Sequence, residues 1–434
     1  MIGQNGILKK VKKAKQENYK AANEEQLRLE INASLMSEKW DGSIANSFHG
    51  GTGTESNPYQ ISNGAELAYF AQNKENYSKF FELTQSINLG NLEFSPIGIL
   101  LEDENVICFN GHFNGNGFVI SNIKINRCEN CVGFFRANLG IIENLNLYNV
   151  NISGKNTVGG IAAANYEGII KNCKVIDGNI FATNSYVGGI VGKVYSTNAS
   201  VENCENRAVV SGIDSVGGVC GVLQCGKIIG CTNSWNITST QTERLASPAG
   251  GIVGDCYPDI GDCYIDSCVN TKDATVSSSI QGAGGIVGRI YNFDKNVYIN
   301  NCSNYGSITC KSLIGLGMAG GIVGNMNCGN ISNVYNSGTI TVGNNDSNDR
   351  NGGIIGNYKN GIIKKAYNTG KLNGGCYIGA IIGKSFSSNV DIENCYYTNS
   401  ELLGIGNLNI SSIGRIERVN YMFENLEDFL EWRN

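Results

Sequence analysis

A glycine-paired apolar signature returns eight times between residues 158 and 383, at intervals of 27 to 36 residues. The copies read VGGIAA (158–163), VGGIVG (187–192), VGGVCG (216–221), AGGIVG (249–254, 283–288 and 319–324), NGGIIG (351–356) and a degenerate IGAIIG (378–383). A fixed period of this size belongs to solenoids, propellers and arrays, whose repeats bury their apolar faces only by stacking on neighbours. Such a chain is expected to offer a scaffold or binding surface rather than a pocketed enzyme.

Within each repeat the glycine pair opens an apolar strand. A turn and a second strand follow, ending at an Asn-containing corner, and then a third strand rich in Ser, Thr and Ile. Three short strands per ~30 residues is the pattern of a parallel β-helix, with coils about 4.8 Å apart around one apolar column. Roughly ten coils would make a rod of order 50 Å. The chain holds 57 Gly but only 4 Pro among 434 residues, so the glycines read as corner and packing positions. A solenoid grows in one direction, so this length does not require several globular domains.

The expected organisation has four parts. Residues 1–48 form a helix and linker, with Leu27, Ile31 and Leu35 as an apolar stripe. Residues 49–105 form a cap module: a strand at 58–61, a helix at 63–72 with Asn63 as N-cap and Leu67, Phe70 and Ala71 buried, and a strand at 80–89. The β-helix proper occupies 106–413. Residues 414–434 carry a capping helix, at 419–432, whose Phe423, Leu426, Phe429 and Leu430 would fold over the last coil.

The repeated GG-[IV]-[VIC]-G resembles the GLUG motif of bacterial surface proteins. GTGTESNPYQISNGAELAYFA (51–71) and FNGHFNGNGFVISNIKI (109–125) resemble the lead-in that precedes such repeats in proteins of Firmicutes and Bacteroidetes. The likeness covers residues 51 to about 400. It implies a right-handed parallel β-helix on an exported, often adhesin-like protein, and it brings no catalytic residues. The opening IGQNGILKKVKKAKQENYKAANEEQLRLEI resembles the segment after the membrane helix of type IV pilin-like proteins of clostridia and relatives. Those proteins place about twenty apolar residues just before it. By that likeness the chain meets a membrane only through a segment missing here, with pilus or filament components as partners.

Net charge is −5, from 33 basic and 38 acidic residues, which gives no reason to expect nucleic acid. Lys9, Lys10, Lys12, Lys13, Lys15 and Lys20 crowd the first twenty residues against Glu17. They read as a solvated helix face or as a segment close to an anionic membrane surface.

The 16 cysteines are partly in register. Cys173, Cys204, Cys231, Cys268, Cys302 and Cys395 hold one repeat position, which Val334 and Ala366 fill elsewhere. A position that accepts Cys, Val or Ala is small and apolar, so a ladder of buried, inert thiols is expected. Their parallel Cβ vectors suit disulfides poorly. Cys225, Cys256, Cys263 and Cys328 are expected near turns, where one or two disulfides could form. The lone Cys128-x-x-Cys131 pair lacks a second pair at zinc spacing.

Catalytic signatures are sparse. His49 and His112 are the only histidines, and neither lies in an HExxH motif; His112 reads as a turn residue. No GxSxG or GxxxxGK[ST] sequence occurs. Asp255, Asp259, Asp262 and Asp266 cluster in DCYPDIGDCYID, and Asp346 and Asp349 in GNNDSNDRN, both read as loop inserts. They are candidates for Ca²⁺ or for glycosidic cleavage. Tyr195, Tyr257, Tyr291, Phe293 and Tyr358 follow the GG strands at similar offsets, and on one face they would stack on sugars. The resulting expectation is a non-enzymatic extracellular or cell-surface β-helix without a cofactor, recognising a glycan or protein ligand. A carbohydrate-active enzyme using the Asp pairs, or a ligand-free spacer, is the rival.

Overall fold

The structure is a computed structural model. It describes the chain except residues 1–3, 103–104, 243–246, 292–293, 344–345, 388–389, 400, 409–415, 420–425, 428 and 430–434. Forty short strands hydrogen-bond into one continuous sheet that winds through about ten turns of an all-parallel β-solenoid. Among the described residues antiparallel pairing is confined to the small pair Ile99–Leu100 and Val106–Ile107 and to two single bridges, Gly50 to Gln60 and Thr54 to Asn57.

The interior is solid. Ile161, Ile190, Val219, Ile252, Ile286, Ile322, Ile354 and Ile381 stack coil on coil, all fully buried. A second column runs from Ile170 through Val201, Ile228, Ile265, Ile299, Ile331 and Ile363 to Ile392. Alternation along each strand sends the intervening residues outward.

The glycine pairs have two separate jobs. A Cβ on the first glycine would overlap a carbonyl oxygen of its own tight turn, as Gly250 would meet Val253. A Cβ on the second would overlap a carbonyl of the next coil and also meet a buried asparagine. Gly189, Gly218, Gly251, Gly285, Gly321 and Gly353 face Asn206, Asn233, Asn270, Asn304, Asn336 and Asn368 in this way. Those asparagines form a ladder. Each Nδ2 donates to the Oδ1 of the next at 2.7–2.9 Å, from Asn206 through Asn368. The ladder satisfies amides that burial would otherwise strand.

Each ladder asparagine lies two residues after the cysteine position, and the residue before that position turns the corner. Asn144, Asn172, Asn203, Gly230, Ser267, Asn301, Asn333, Lys365 and Asn394 all adopt φ between 50° and 63°. Asn tolerates this left-handed conformation because its short side chain hydrogen-bonds locally, whereas other L-residues lose about 1–2 kcal/mol. Lys365, exposed and without that compensation, is the poorest fit. Lys365→Asn is therefore expected to stabilise the protein by about 1 kcal/mol. A thermal midpoint that stays put or falls would contradict this.

The cap region is part of the solenoid. Tyr59–Ile61 pairs with Phe80–Leu83, which pairs with His112–Asn114, so the ladder runs unbroken across residue 105. The expected strand 80–89 is two strands, Phe80–Leu83 and Ile87–Asn88, with a coil corner between them. His112 thus sits in a strand rather than a turn. Helix α2 (Gly64–Gln72) forms where expected, with the Asn63 side chain accepting from the Glu66 amide and Leu67, Phe70 and Ala71 buried.

Helix α1 (Gln4–Met36) lies along one flank. Leu27 and Ile31 pack on Val119, Ile176 and Tyr148, and Glu24 pairs with Arg207. Leu35 is exposed and Ser34 is buried in its place. At 3.6 residues per turn, two steps of four carry the stripe about 80° around the helix, away from the solenoid. Toward the other end, an outward column of Tyr335, Tyr367 and Tyr396 is covered by Leu426 and Phe429, with Phe429 stacked on Tyr367 at 5.1 Å. These two residues cover the side of the last coils. Val419, at the expected start of the helix, is not helical and packs against the same cluster, while Phe423 and Leu430 lie outside the described residues. Pairing continues to Ile416–Arg418, a little past the expected end at 413.

Candidate functional site

The flank bearing the cysteine corners is covered at both ends, by α1 and by the C-terminal residues. The outer side of the GG strands is open. Two outward columns run along it, each set by a fixed offset from the third glycine of the repeat. One residue past that glycine come Lys193, Val222, Asp255, Arg289, Asn325, Asn357 and Lys384, in strand register. Three residues past it come Tyr195, Gln224, Tyr257, Tyr291, Asn327, Lys359 and Phe386. Tyr166 holds the equivalent place in the first repeat.

Of the expected aromatics, Tyr257 and Tyr291 share one strip in register, and the exposed Tyr195 continues it across a bulge that pairs its backbone with Cys225. Tyr166 joins it edge-on to Tyr195, with ring centroids 6.1 Å apart, and Tyr257 meets Tyr291 at 4.6 Å. Tyr358 does not belong. It sits two residues past its glycine rather than three, and a one-residue shift in a strand turns the side chain to the opposite face. It is buried, its hydroxyl donating to the Gly361 carbonyl at 2.6 Å. Phe293 lies outside the described residues.

Two neighbouring cavities open on the strip. One, of about 240 Å³, is lined by Tyr186, Lys193, Asp214, Gln224, Tyr257 and Tyr291 over a floor of Asp255 and Arg289. The other, of about 390 Å³, lies between Leu139, Tyr166, Tyr195 and Ile260. Lys193 connects them, its ammonium 4.4 Å from the centre of the Tyr195 ring.

The first cavity is electrostatically organised. Arg289 grips Asp255 with two hydrogen bonds, Nε to Oδ1 at 2.9 Å and Nη2 to Oδ2 at 2.7 Å, both groups buried. Burial works against the guanidinium charge, but Asp255 overrides it and holds Arg289 above its ordinary range. Arg289 also covers the Tyr291 ring at 4.2 Å. Ser215 Oγ lies 2.9 Å from Asp255 and 3.2 Å from Asp214. Burial, and then the Asp255 charge, push the Asp214 carboxyl up. Burial lowers Lys193. Gln224 Nε2 reaches Asp259 at 3.3 Å, while its Oε1 is buried without a hydrogen-bond partner. Tyr186 has φ +63°, the corner conformation that Thr157, Ser215 and Gly282 adopt at the same repeat position.

The acidic candidates fall into different roles. Asp255 is in the strand Val253–Cys256, not in an insert: its place in the repeat is that of Lys193 and Arg289, and the insert begins after it. Asp349 is buried and caps a turn, accepting from the Ser312 hydroxyl and the Gly317 amide. Asp346 is exposed beside it. Asp262 accepts from the Asn296 amide at 2.9 Å, and Asp266 from Asn301 at 2.8 Å. Among the described residues no three His, Cys, Asp or Glu side chains converge as a metal site.

All 16 cysteines are thiols. Cys173, Cys204, Cys231, Cys268, Cys302 and Cys395 are buried in one column, with Val334 and Ala366 in register. Each Sγ contacts the carbonyl two residues back, as Cys302 does Asn300 at 3.0 Å. Burial pushes Cys395 up to about 12, far from the reactive thiolate. Cys225 is buried inside a strand, whereas Cys256 and Cys263 are buried at the two ends of the 257–262 turn and Cys328 lies at a bend, half-buried against the Tyr291 carbonyl, as expected for residues near turns. Cys128 is exposed and Cys131 half-buried. His49 and His112 sit far from the strip, on Glu66 at 3.0 Å and Glu143 at 2.6 Å.

Lys193, Asp255 and Arg289 were within reach of the repeat alignment, because each directly follows the third glycine. Gln224 is within reach too, three residues past its glycine, whereas Tyr186 and Asp214 have no such signal. Corner geometry and stacking of non-adjacent repeats bring them to the cavity.

These features define a parallel β-solenoid with a solid core and an open aromatic face. No protein-family profile matches the chain. Over 163 residues, 35% of this chain, it is 30% identical to Halomucin of Haloquadratum walsbyi, a match spanning 2% of that protein. Over 142 residues, 30% of this chain, it is 34% identical to a protein of Evansella cellulosilytica named as a Gly-rich membrane protein, spanning 15% of it. The chain thus corresponds to a small part of either relative. A crystal structure from Bacteroides ovatus named for an immunoglobulin A1 protease is similar at TM-score 0.40 and 17% identity, over 88% of this chain and 85% of that one. Among the described residues no helix is long and apolar enough to cross a membrane.

Proposed function

We propose that this chain is a non-enzymatic β-helix of the bacterial cell surface or exterior that recognises a glycan or protein ligand through its open lateral face. The observation that carries the reading is the aromatic strip with its two cavities along the outer side of the GG strands. Exposed aromatics rimmed by polar groups are the usual make-up of a recognition surface. The GLUG-like repeats favour the same placement, as does the relative named a membrane protein. The pilin-like opening sequence favours mounting on a filament. Binding is preferred over turnover because Asp255 is neutralised by Arg289 and Asp349 is occupied by a turn.

The test is binding of the purified chain to arrays of glycans and matrix proteins, with release of product followed in parallel. Tyr291→Ala is expected to weaken binding about ten-fold, the loss of one stacked aromatic anchor, with the circular dichroism unchanged. Turnover of any ligand, or a strip variant that binds as well as the parent, would sink the reading.

A further inference from the structure

The strip is a line, not a patch. Tyr166, Tyr195, Gln224, Tyr257 and Tyr291 occupy successive coils, so they extend about 19 Å along the rod at the ~4.8 Å spacing of adjacent strands. The two cavities overlap along this line, the second displaced toward the residues that follow the GG strands, with Lys193 and Tyr195 of one strand standing between them. A compact ligand would fill one cavity and leave the other empty. A chain of rings advancing by roughly a coil per unit would use both.

The polar groups indicate what kind of chain. Asp255 and Arg289 cancel each other. Lys193 and Asp214, of opposite sign, have no ion-pair partner within 4 Å among the described residues, and Asp259 beside Gln224 and Glu167 in the second cavity leave the groove with more carboxylates than cations, so it repels an anionic polymer. Gln224 Oε1 is a buried acceptor still lacking a donor. Hydroxyl groups answer all three, since each can donate or accept. The tyrosine faces suit the C–H faces of pyranose rings.

We infer that the strip binds a neutral, linear glycan lying parallel to the solenoid axis across both cavities, with Tyr195 and Tyr291 as separate ring platforms and Gln224 reading a hydroxyl between them. This rests on the recognition role proposed above and specifies its ligand.

The experiment is calorimetric titration of the full chain with neutral β-linked oligosaccharides (the cello-, xylo- and chito- series) from disaccharide to octasaccharide, with hyaluronan oligosaccharides as the anionic comparison. Affinity is expected to rise at least ten-fold from disaccharide to hexasaccharide and then level off. Tyr195→Ala and Tyr291→Ala should each cost about ten-fold with the hexasaccharide, although they lie in different cavities. Gln224→Leu removes the carboxamide that reads the hydroxyl and should weaken hexasaccharide binding roughly five-fold, the loss of one hydrogen bond, and an unchanged affinity would overturn that role. Equal affinity for disaccharide and hexasaccharide, preference for hyaluronan, or no binding to any neutral series would overturn the inference. A protein ligand on the array, lost in Tyr291→Ala, would overturn it while leaving the recognition role intact. No ligand of any class would remove both.

Discussion

Gly251→Ala is expected to destabilise the solenoid by about 3 kcal/mol or more, the upper end of what one added methyl does in a packed interior. The added Cβ would overlap the Gly285 carbonyl oxygen of the neighbouring coil and come within 2.6 Å of the Asn270 carboxamide. Neither can yield. The carbonyl belongs to the tight bend between strands Ala283–Gly284 and Val287–Ile290, whose Gly285 amide is tied to the Gly320 carbonyl of the next coil, and Asn270 is fixed between Asn233 and Asn304 at 2.9 and 2.8 Å. Moving Asn270 would strand two buried amides, each worth about 1–3 kcal/mol. Gly117→Ala is the comparison: nothing lies within 4 Å of its Cβ, but φ is +80°. Its cost should stay near the ~1–2 kcal/mol of a left-handed alanine. Thermal and urea unfolding of the two variants checks the ranking. Equal losses would mean that backbone conformation, not the crowded coil interface, makes the paired glycines necessary.

Arg289→Met is expected to cost about 3–5 kcal/mol, because it leaves the Asp255 carboxylate buried with Ser215 as its remaining neutral partner. The pair itself need not be stabilising, since both ions lose their hydration. The double variant Asp255→Val, Arg289→Met should accordingly recover most of the loss. Val222 already fills the same column position one coil earlier, so the site accepts an apolar side chain. A double-mutant cycle followed by chemical denaturation measures this. A loss below about 1 kcal/mol for Arg289→Met would mark the pair as a solvent-screened surface contact. If the double variant folds well but loses glycan binding, the ion pair serves the groove rather than the fold.

The opening α1 stripe and Tyr358 show where reading from residues alone failed, and for one reason. Leu35 was placed by a spacing of four that drifts around a helix, and Tyr358 by an offset one residue short of the strip. Small errors in count become opposite faces when side chains alternate every residue or rotate by 100°. Asp255 was misplaced in the same way: counted with the insert that follows it, it belongs by offset to the strand.

The sequence by itself determined the solenoid, its period, the capping helix α2 and the thiol ladder. Those depend on local chemistry repeated coil after coil, and repetition makes each copy confirm the next. The tertiary structure alone decided that the second glycine of each pair exists to admit an asparagine from a distant strand. It also decided that helix α1 and Leu426 with Phe429 cover the cysteine-corner flank near its two ends. Tyr186 and Asp214 meet Arg289 across several coils. The physical reason is that such contacts pass between coils, perpendicular to the chain, where sequence distance carries no information about which side chains touch.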